Sequence, residues 1–188
     1  MPSNDPRLLR LRELLEKKAV LHGDFTLASG AKSTYYFDGR RVTHDPEGVT
    51  LVGMLMQELV HAAGAEAIGG PTSAANAIIT AVQVVSFQKK EPIDGFYVRS
   101  EQKTHGTQQM IEGNLPVRPG APIAIVDDTM TTGGSVERAI EAAEAKGCKV
   151  VLVGVMLDRR QGGAERLKAK GYNVQALLLA DADEIRVP

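Results

Sequence analysis

Apolar residues recur along this chain with two different periods, and the alternation between them outlines a fold. Leu8, Leu11 and Leu15, with Leu14 beside them, form a helical stripe running to about residue 20. Asp5-Pro6 opens it, since Asp caps free amides and Pro presets φ at the first helical position. Asp45-Pro46 repeats the device ahead of Val49, Val52, Leu55, Met56, Leu59, Val60 and Ala63, and Gly64 supplies the stop. Between these helices, "GDFTLASGAKSTYYFDGR" carries two short β-type pieces, Phe25 to Leu27 and Tyr35 to Asp38. They predict a hairpin, or two short strands, capping the main body.

From residue 65 the pattern becomes strand, helix, strand. "AEAIGG" and "GFYVR" read as strands around a helix in "PTSAANAIITAVQVV". "APIAIVDD" reads as a buried strand, followed by a helix in "GGSVERAIEAAEAKG". "KVVLVGVMLD" is a continuous β-branched run, as expected for a strand covered on both faces. "GGAERLKAKG" and "NVQALLLA" supply one more helix and strand, whereas "SEQKTHGTQQMIEGN" is polar, lacks a period and predicts a loop. Such alternation predicts an α/β fold with a mostly parallel central sheet flanked by helices and a small N-terminal hood. Residues 1–40 form the helix and hood of that single domain and 41–188 its α/β core.

Composition narrows the possibilities. With 188 residues, 43% hydrophobic and 24% charged, the chain can bury a full core without a disulfide or structural metal. Cys148 is the only cysteine, so an internal disulfide and a thiolate metal cluster are both excluded. A net charge of −1 argues against nucleic acid as a partner. No apolar stretch approaches the ~20 residues that span a bilayer, and charges interrupt the N-terminal segment, so neither a membrane span nor a signal peptide is expected. These features predict a cytoplasmic protein. His22, His44 and His61 lack metal-ligand spacing.

Candidate chemistry concentrates in "VDDTMTTGGS", residues 126–135. In open α/β sheets ligands bind beyond the carboxyl ends of the strands, where Asp127 and Asp128 fall. The following turn leads into a helix N-terminus, whose free amides and dipole attract phosphate. Gly133 and Gly134 would let backbone approach an anion, and Thr131, Thr132 and Ser135 add hydroxyl donors. Carboxylates do not suit phosphate but accept hydrogen bonds from sugar hydroxyls. A ribose 5-phosphate group satisfies both halves. No G-x-x-x-x-G-K-[ST] and no G-x-G-x-x-G after a strand supports a different nucleotide motif.

"IAIVDDTMTTGGS" resembles the phosphoribosyl-pyrophosphate (PRPP) signature of type I phosphoribosyltransferases. "FTLASGAKSTYYFDGR", "YVRSEQKTHG" and "LDR" at 157–159 are similar to the orotate branch of that family, in order and at compatible spacing. The resemblance implies the type I phosphoribosyltransferase fold and Mg²⁺-dependent transfer of ribose 5-phosphate from PRPP to orotate in pyrimidine synthesis. It implies a homodimer in which loop 100–112 closes over the neighbouring subunit's site, so that Lys103 and His105 act in trans beside Arg99 on the departing pyrophosphate. It makes "GGPTSAAN", with Thr72 and Ser73, the pyrophosphate loop. Arg159 would grip the orotate carboxylate, for which a guanidinium fork is suited. Tyr36 and Phe37 would line the base pocket. Mg²⁺ would be held mainly by substrate oxygens and water, in keeping with its hardness. The alternatives are a type I enzyme for another base and a PRPP-sensing regulator without catalysis; a substrate panel separates them.

Overall fold

A computed structural model describes residues 3–26, 32–100 and 110–188 of the chain. Helix α1 (Pro6–Lys18) starts at Asp5, whose side chain accepts from the Arg7 amide, and buries Leu8, Leu11, Leu14 and Leu15. Strands β1 (Val20–Thr26) and β2 (Lys32–Phe37) pair antiparallel as a separate two-stranded sheet. A four-residue helix α2 (Arg40–Thr43) leads into α3 (Pro46–Ala62), which Asp45 caps through the Gly48 amide. Strand β3 (Ala67–Gly69), helix α4 (Ala74–Gln88) and strands β4 (Asp94–Val98) and β5 (Ile111–Gly113) follow. The chain closes with β6 (Pro122–Met130), α5 (Gly134–Glu144), β7 (Lys149–Asp158), α6 (Gly163–Ala169), β8 (Val174–Asp181) and β9 (Glu184–Arg186).

The large sheet has the order β5-β4-β3-β6-β7-β8-β9. Its five inner strands are parallel, and β5 and β9 add antiparallel edges. Side chains alternate across the strands, so each face builds its own core. Ala124, Val126, Leu152 and Met156 face α1, α3 and α4. Ile123, Ile125, Val153 and Val155 face α5 and α6. The leucine stripe of α1 thus belongs to the main core, not to the small sheet above it.

Where the elements differ from the sequence reading, the cause is local. β1 begins at Val20, earlier than the piece read from Phe25, because exposed His22, Gly23 and Asp24 break the apolar alternation. β5 lies inside the stretch read as loop, and β9 was not foreseen. Each is three residues long, too short for a period to register. Leu27 lies outside the described residues, as do Ala28 to Ala31.

β3 and β6 are adjacent, yet the helices after them leave to opposite faces: α4 packs with the first core and α5 with the second. This divergence opens a crevice at their carboxyl ends, where α/β folds bind ligands.

Candidate active site

A cavity of about 590 Å³ lies at this crevice, bounded by the ends of β6 and β7, the start of α4, and the last residues of β2. Asp128, Thr131, Thr132, Ser73, Arg159 and the Tyr36–Phe37 pair all line it. Seven residues named from the sequence therefore meet in one space, drawn from four separate segments.

The two acids occupy different environments. Asp128 faces the cavity, whereas Asp127 lies behind it, 4% exposed and absent from the lining. Asp127 Oδ1 accepts from the Asp128 amide at 2.9 Å, and its Oδ2 accepts from the Ser135 hydroxyl at 3.1 Å. Burial, reinforced by the neighbouring Asp128 carboxylate, pushes the Asp127 carboxyl up to about 7. Asp128 is also raised, first by burial, with Asp38 adding to the effect and Arg40 opposing it. A hydroxyl has one proton to donate. Ser135, expected to face phosphate, spends that proton on Asp127.

The N-terminus of α5 fits an anion. Gly133 adopts φ +75°, a left-handed conformation that side chains resist, and no side chain caps the first turn. The leading amides, including that of Gly134, are left for a ligand. Across the turn, Gly163 donates its amide to Thr131 O at 3.0 Å and the Arg166 guanidinium donates to Thr132 O at 2.8 Å. These bonds hold the loop open from outside.

On the β3 side, the Thr72 amide donates to Val98 O at 2.9 Å, and the Thr72–Ser73 peptide is cis. Ser73 precedes α4 without capping it, so its hydroxyl stays at the exposed cavity edge. Arg99 stands apart from the cavity: its Nη1 donates to Glu112 at 3.2 Å across the β4–β5 pair, beside the Tyr97 bond to the same carboxylate. Lys103 and His105 lie outside the described residues.

Arg159 follows β7. Its amide donates to Met130 O at 2.9 Å, and its guanidinium reaches Tyr35, with Nη2 donating to the hydroxyl at 3.3 Å and Cζ 5.6 Å from the ring centroid. Tyr36 is 39% exposed against the Phe25 ring, while Phe37 is 8% exposed and joins the core. Alternation along β2 produces this split.

Several lining residues escaped sequence reasoning: Asp38, Gly39, Arg40, Thr129 and Gln161. Arg40 bonds Asp38 through Nε at 2.8 Å, which holds the Asp38 carboxyl below its ordinary range. Gly39 packs so tightly that a Cβ there would lie 2.8 Å from Asp128 Oδ2 and 2.9 Å from Thr129 Oγ1. Its position directly after "YYFD" was the available signal.

Acid at a strand end, an uncapped helix N-terminus and a sheet switch point define a phosphoribosyl-binding α/β domain, and residues 45–181 match the family described as phosphoribosyl transferase domain. The chain is 40% identical to the orotate phosphoribosyltransferase of Rhodopirellula baltica, over 90% of each protein. It superposes on the crystal structure of the Mycobacterium tuberculosis orotate phosphoribosyltransferase with a TM-score of 0.82 at 38% identity, covering 95% of this chain and 98% of that one. A structure of the same mycobacterial enzyme in complex with PRPP aligns at a TM-score of 0.78 and 34% identity, again over 95% and 98%. The chain belongs to the orotate phosphoribosyltransferase family.

Proposed function

We infer that this chain transfers ribose 5-phosphate from PRPP to orotate, giving orotidine 5′-monophosphate and pyrophosphate, as the names of its relatives indicate. The observation that carries the site reading is the shared cavity: Asp128, Thr131 and Thr132 of the turn before α5, and Arg159 line one space. Asp128 accepts from ribose hydroxyls, and Asp127 supports it from behind. The amides of Gly133 and Gly134, with Thr131 and Thr132, receive the 5′-phosphate. Arg159 pairs with the orotate carboxylate while Tyr36 and Phe37 flank the ring. The C1–O bond to pyrophosphate breaks as an orotate ring nitrogen bonds to C1, releasing one proton. Thr72, Ser73, Lys103 and His105 receive the growing negative charge, so rate comes from positioning and electrostatics. Arg99, which stands outside this cavity, would join them only by exchanging its Glu112 bond for the pyrophosphate.

Among the described residues no group of three or more His, Cys, Asp or Glu could cage a metal. Asp128 is a hard oxygen donor at the cavity, which suits Mg²⁺ arriving on PRPP oxygens. When bound, the ion would neutralise charge on the leaving pyrophosphate. A homodimer is supported by a charge-free helix: α4 carries no Asp, Glu, Lys or Arg, its Val84 and Phe87 are 51% and 76% exposed, and Val84 lines a groove with Met54 of α3. No described helix is long and apolar enough to cross a membrane.

Orotate depletion would be followed with PRPP, with and without Mg²⁺, and compared with uracil, adenine and hypoxanthine. Turnover of orotate alone, requiring the metal, is expected. Preference for another base, or no pyrophosphate with any base, would replace this reading. Sedimentation showing a fully active monomer would remove the shared-loop arrangement.

A further inference from the structure

Asp158, the last residue of β7, is 5% exposed and lies outside the lining of the substrate cavity, so it has no direct route to substrate. Its Oδ1 accepts the backbone N–H of Arg160 at 2.9 Å. Arg160 has φ +50°, a left-handed conformation that a residue with Cβ rarely adopts without local support. An acid bonding the amide two residues on is the usual support for a tight turn. The intervening residue is Arg159, whose own amide is tied to Met130 O at 2.9 Å. The exposed Arg160 side chain is tied in turn to Asp181, at 3.0 and 3.1 Å.

We propose that Asp158 is a positioning residue for orotate recognition: its bond to the Arg160 amide fixes the turn from which Arg159 reaches into the cavity. This rests on the reading of Arg159 as the carboxylate ligand. A buried carboxylate at this place is otherwise costly unless it is hydrogen-bonded, and the bond it makes serves the turn. Because Asp158 works through its acceptor oxygen, Asn should replace it and Ala should not. Because Arg159 addresses the base, orotate binding should suffer while PRPP binding does not.

The test measures kcat and both KM values for the full chain carrying Arg159→Ala, Asp158→Ala, Asp158→Asn, Asp158→Leu, or Asp158→Ala with Arg159→Ala, with melting temperatures alongside. Asp158→Leu removes the same acceptor while keeping the side-chain volume, so a variant remains should Asp158→Ala leave a cavity and not fold. Asp158→Ala and Asp158→Leu are expected to raise the orotate KM about tenfold, as misplacement of a binding group does. The PRPP KM should stay within about twofold, Asp158→Asn should stay near the parent, and Asp158→Ala should add little to Arg159→Ala. An orotate KM unmoved in a folded Asp158→Ala or Asp158→Leu variant overturns the proposal, as does equal loss in the Ala and Asn variants. An orotate KM unmoved by Arg159→Ala removes the carboxylate reading instead, and the proposal with it.

Discussion

The Arg159 guanidinium donates to the Tyr35 hydroxyl at 3.3 Å, joining the end of β7 to the small N-terminal sheet across 124 residues of sequence. The same guanidinium carbon lies 5.6 Å from the Tyr35 ring centroid. The small sheet therefore touches the group assigned to the substrate carboxylate from one side, while the turn after β7 fixes it from the other. On the proposed role of Arg159, substrate selection would be divided between two parts of the fold that the chain builds at opposite ends.

Tyr35→Phe separates these two contacts. It keeps the ring beneath the guanidinium and removes the acceptor. A hydrogen bond to a charged donor contributes about 1.5–3 kcal/mol at good geometry, and less at 3.3 Å. The orotate KM should rise about threefold to tenfold with kcat nearly kept, measured by initial rates at saturating PRPP. An unchanged orotate KM would show that the hydroxyl contributes nothing to holding Arg159.

Gly39→Ala tests the tight junction between the small sheet and the acid pair. Gly39 has φ −59° and ψ −26°, which alanine adopts freely, so backbone strain is not at issue. Its added methyl would meet Asp128 Oδ2 at 2.8 Å and Thr129 Oγ1 at 2.9 Å. Overpacking of this kind costs about 1–3 kcal/mol. The cost should fall on Asp128, raising the PRPP KM about tenfold or more while the melting temperature drops by only a few degrees. Parent-like PRPP kinetics would mean that Asp128 can move aside without loss.

Much of this arrangement was legible in the sequence because it rests on local rules. Asp-Pro helix starts, the β-branched run of β7 and the glycine turn before α5 each follow from the chemistry of a few adjacent residues. The inequality of Asp127 and Asp128 was missed: reading both as facing sugar hydroxyls overlooks that neighbours on a strand point to opposite sides. Other features depend on tertiary register. Arg99 meets Glu112 only because β5 pairs antiparallel with β4 so that Val98 opposes Ile111. Tyr35 meets Arg159 only once the small sheet sits above β7. No spacing along the chain encodes either pairing.

Metal dependence should follow the substrate more than the protein. Asp127 has both carboxylate oxygens engaged, by the Asp128 amide and the Ser135 hydroxyl. Asp128 alone offers weak purchase to an ion that dehydrates reluctantly. Calorimetric titration of Mg²⁺ into the protein without PRPP should show affinity no tighter than about millimolar, and chelation should abolish turnover reversibly. Tight stoichiometric Mg²⁺ binding to the substrate-free chain would point to a protein-built site instead.

The raised Asp127 carboxyl also sets a pH dependence of opposite sign to that of the surface ion pairs. Its folded pKa of about 7 lies above its ordinary value of 3.8, so the folded chain holds a proton that the unfolded chain has lost. Its contribution is fully present below pH 3.8 and disappears as pH rises through 7, by up to about 4 kcal/mol. Asp5, Asp45 and Glu58 are lowered by Arg7, Lys18 and Arg7 respectively, so their stabilisation is lost only as pH falls through the acid range. The melting temperature of the substrate-free protein should therefore peak between about pH 4.5 and 6 and decline toward pH 8. Asp127→Asn removes the buried charge while keeping one acceptor. It should flatten the decline and melt above the parent at pH 8, yet turn over poorly because Asp128 and Ser135 lose their fixed partner. For the parent, kcat/KM for PRPP should climb through pH 7, since it follows the ionisation of the free enzyme. A melting profile that rises steadily from pH 5 to 8 in the parent would place Asp127 as an ordinary ionised carboxylate and end this account of the acid pair.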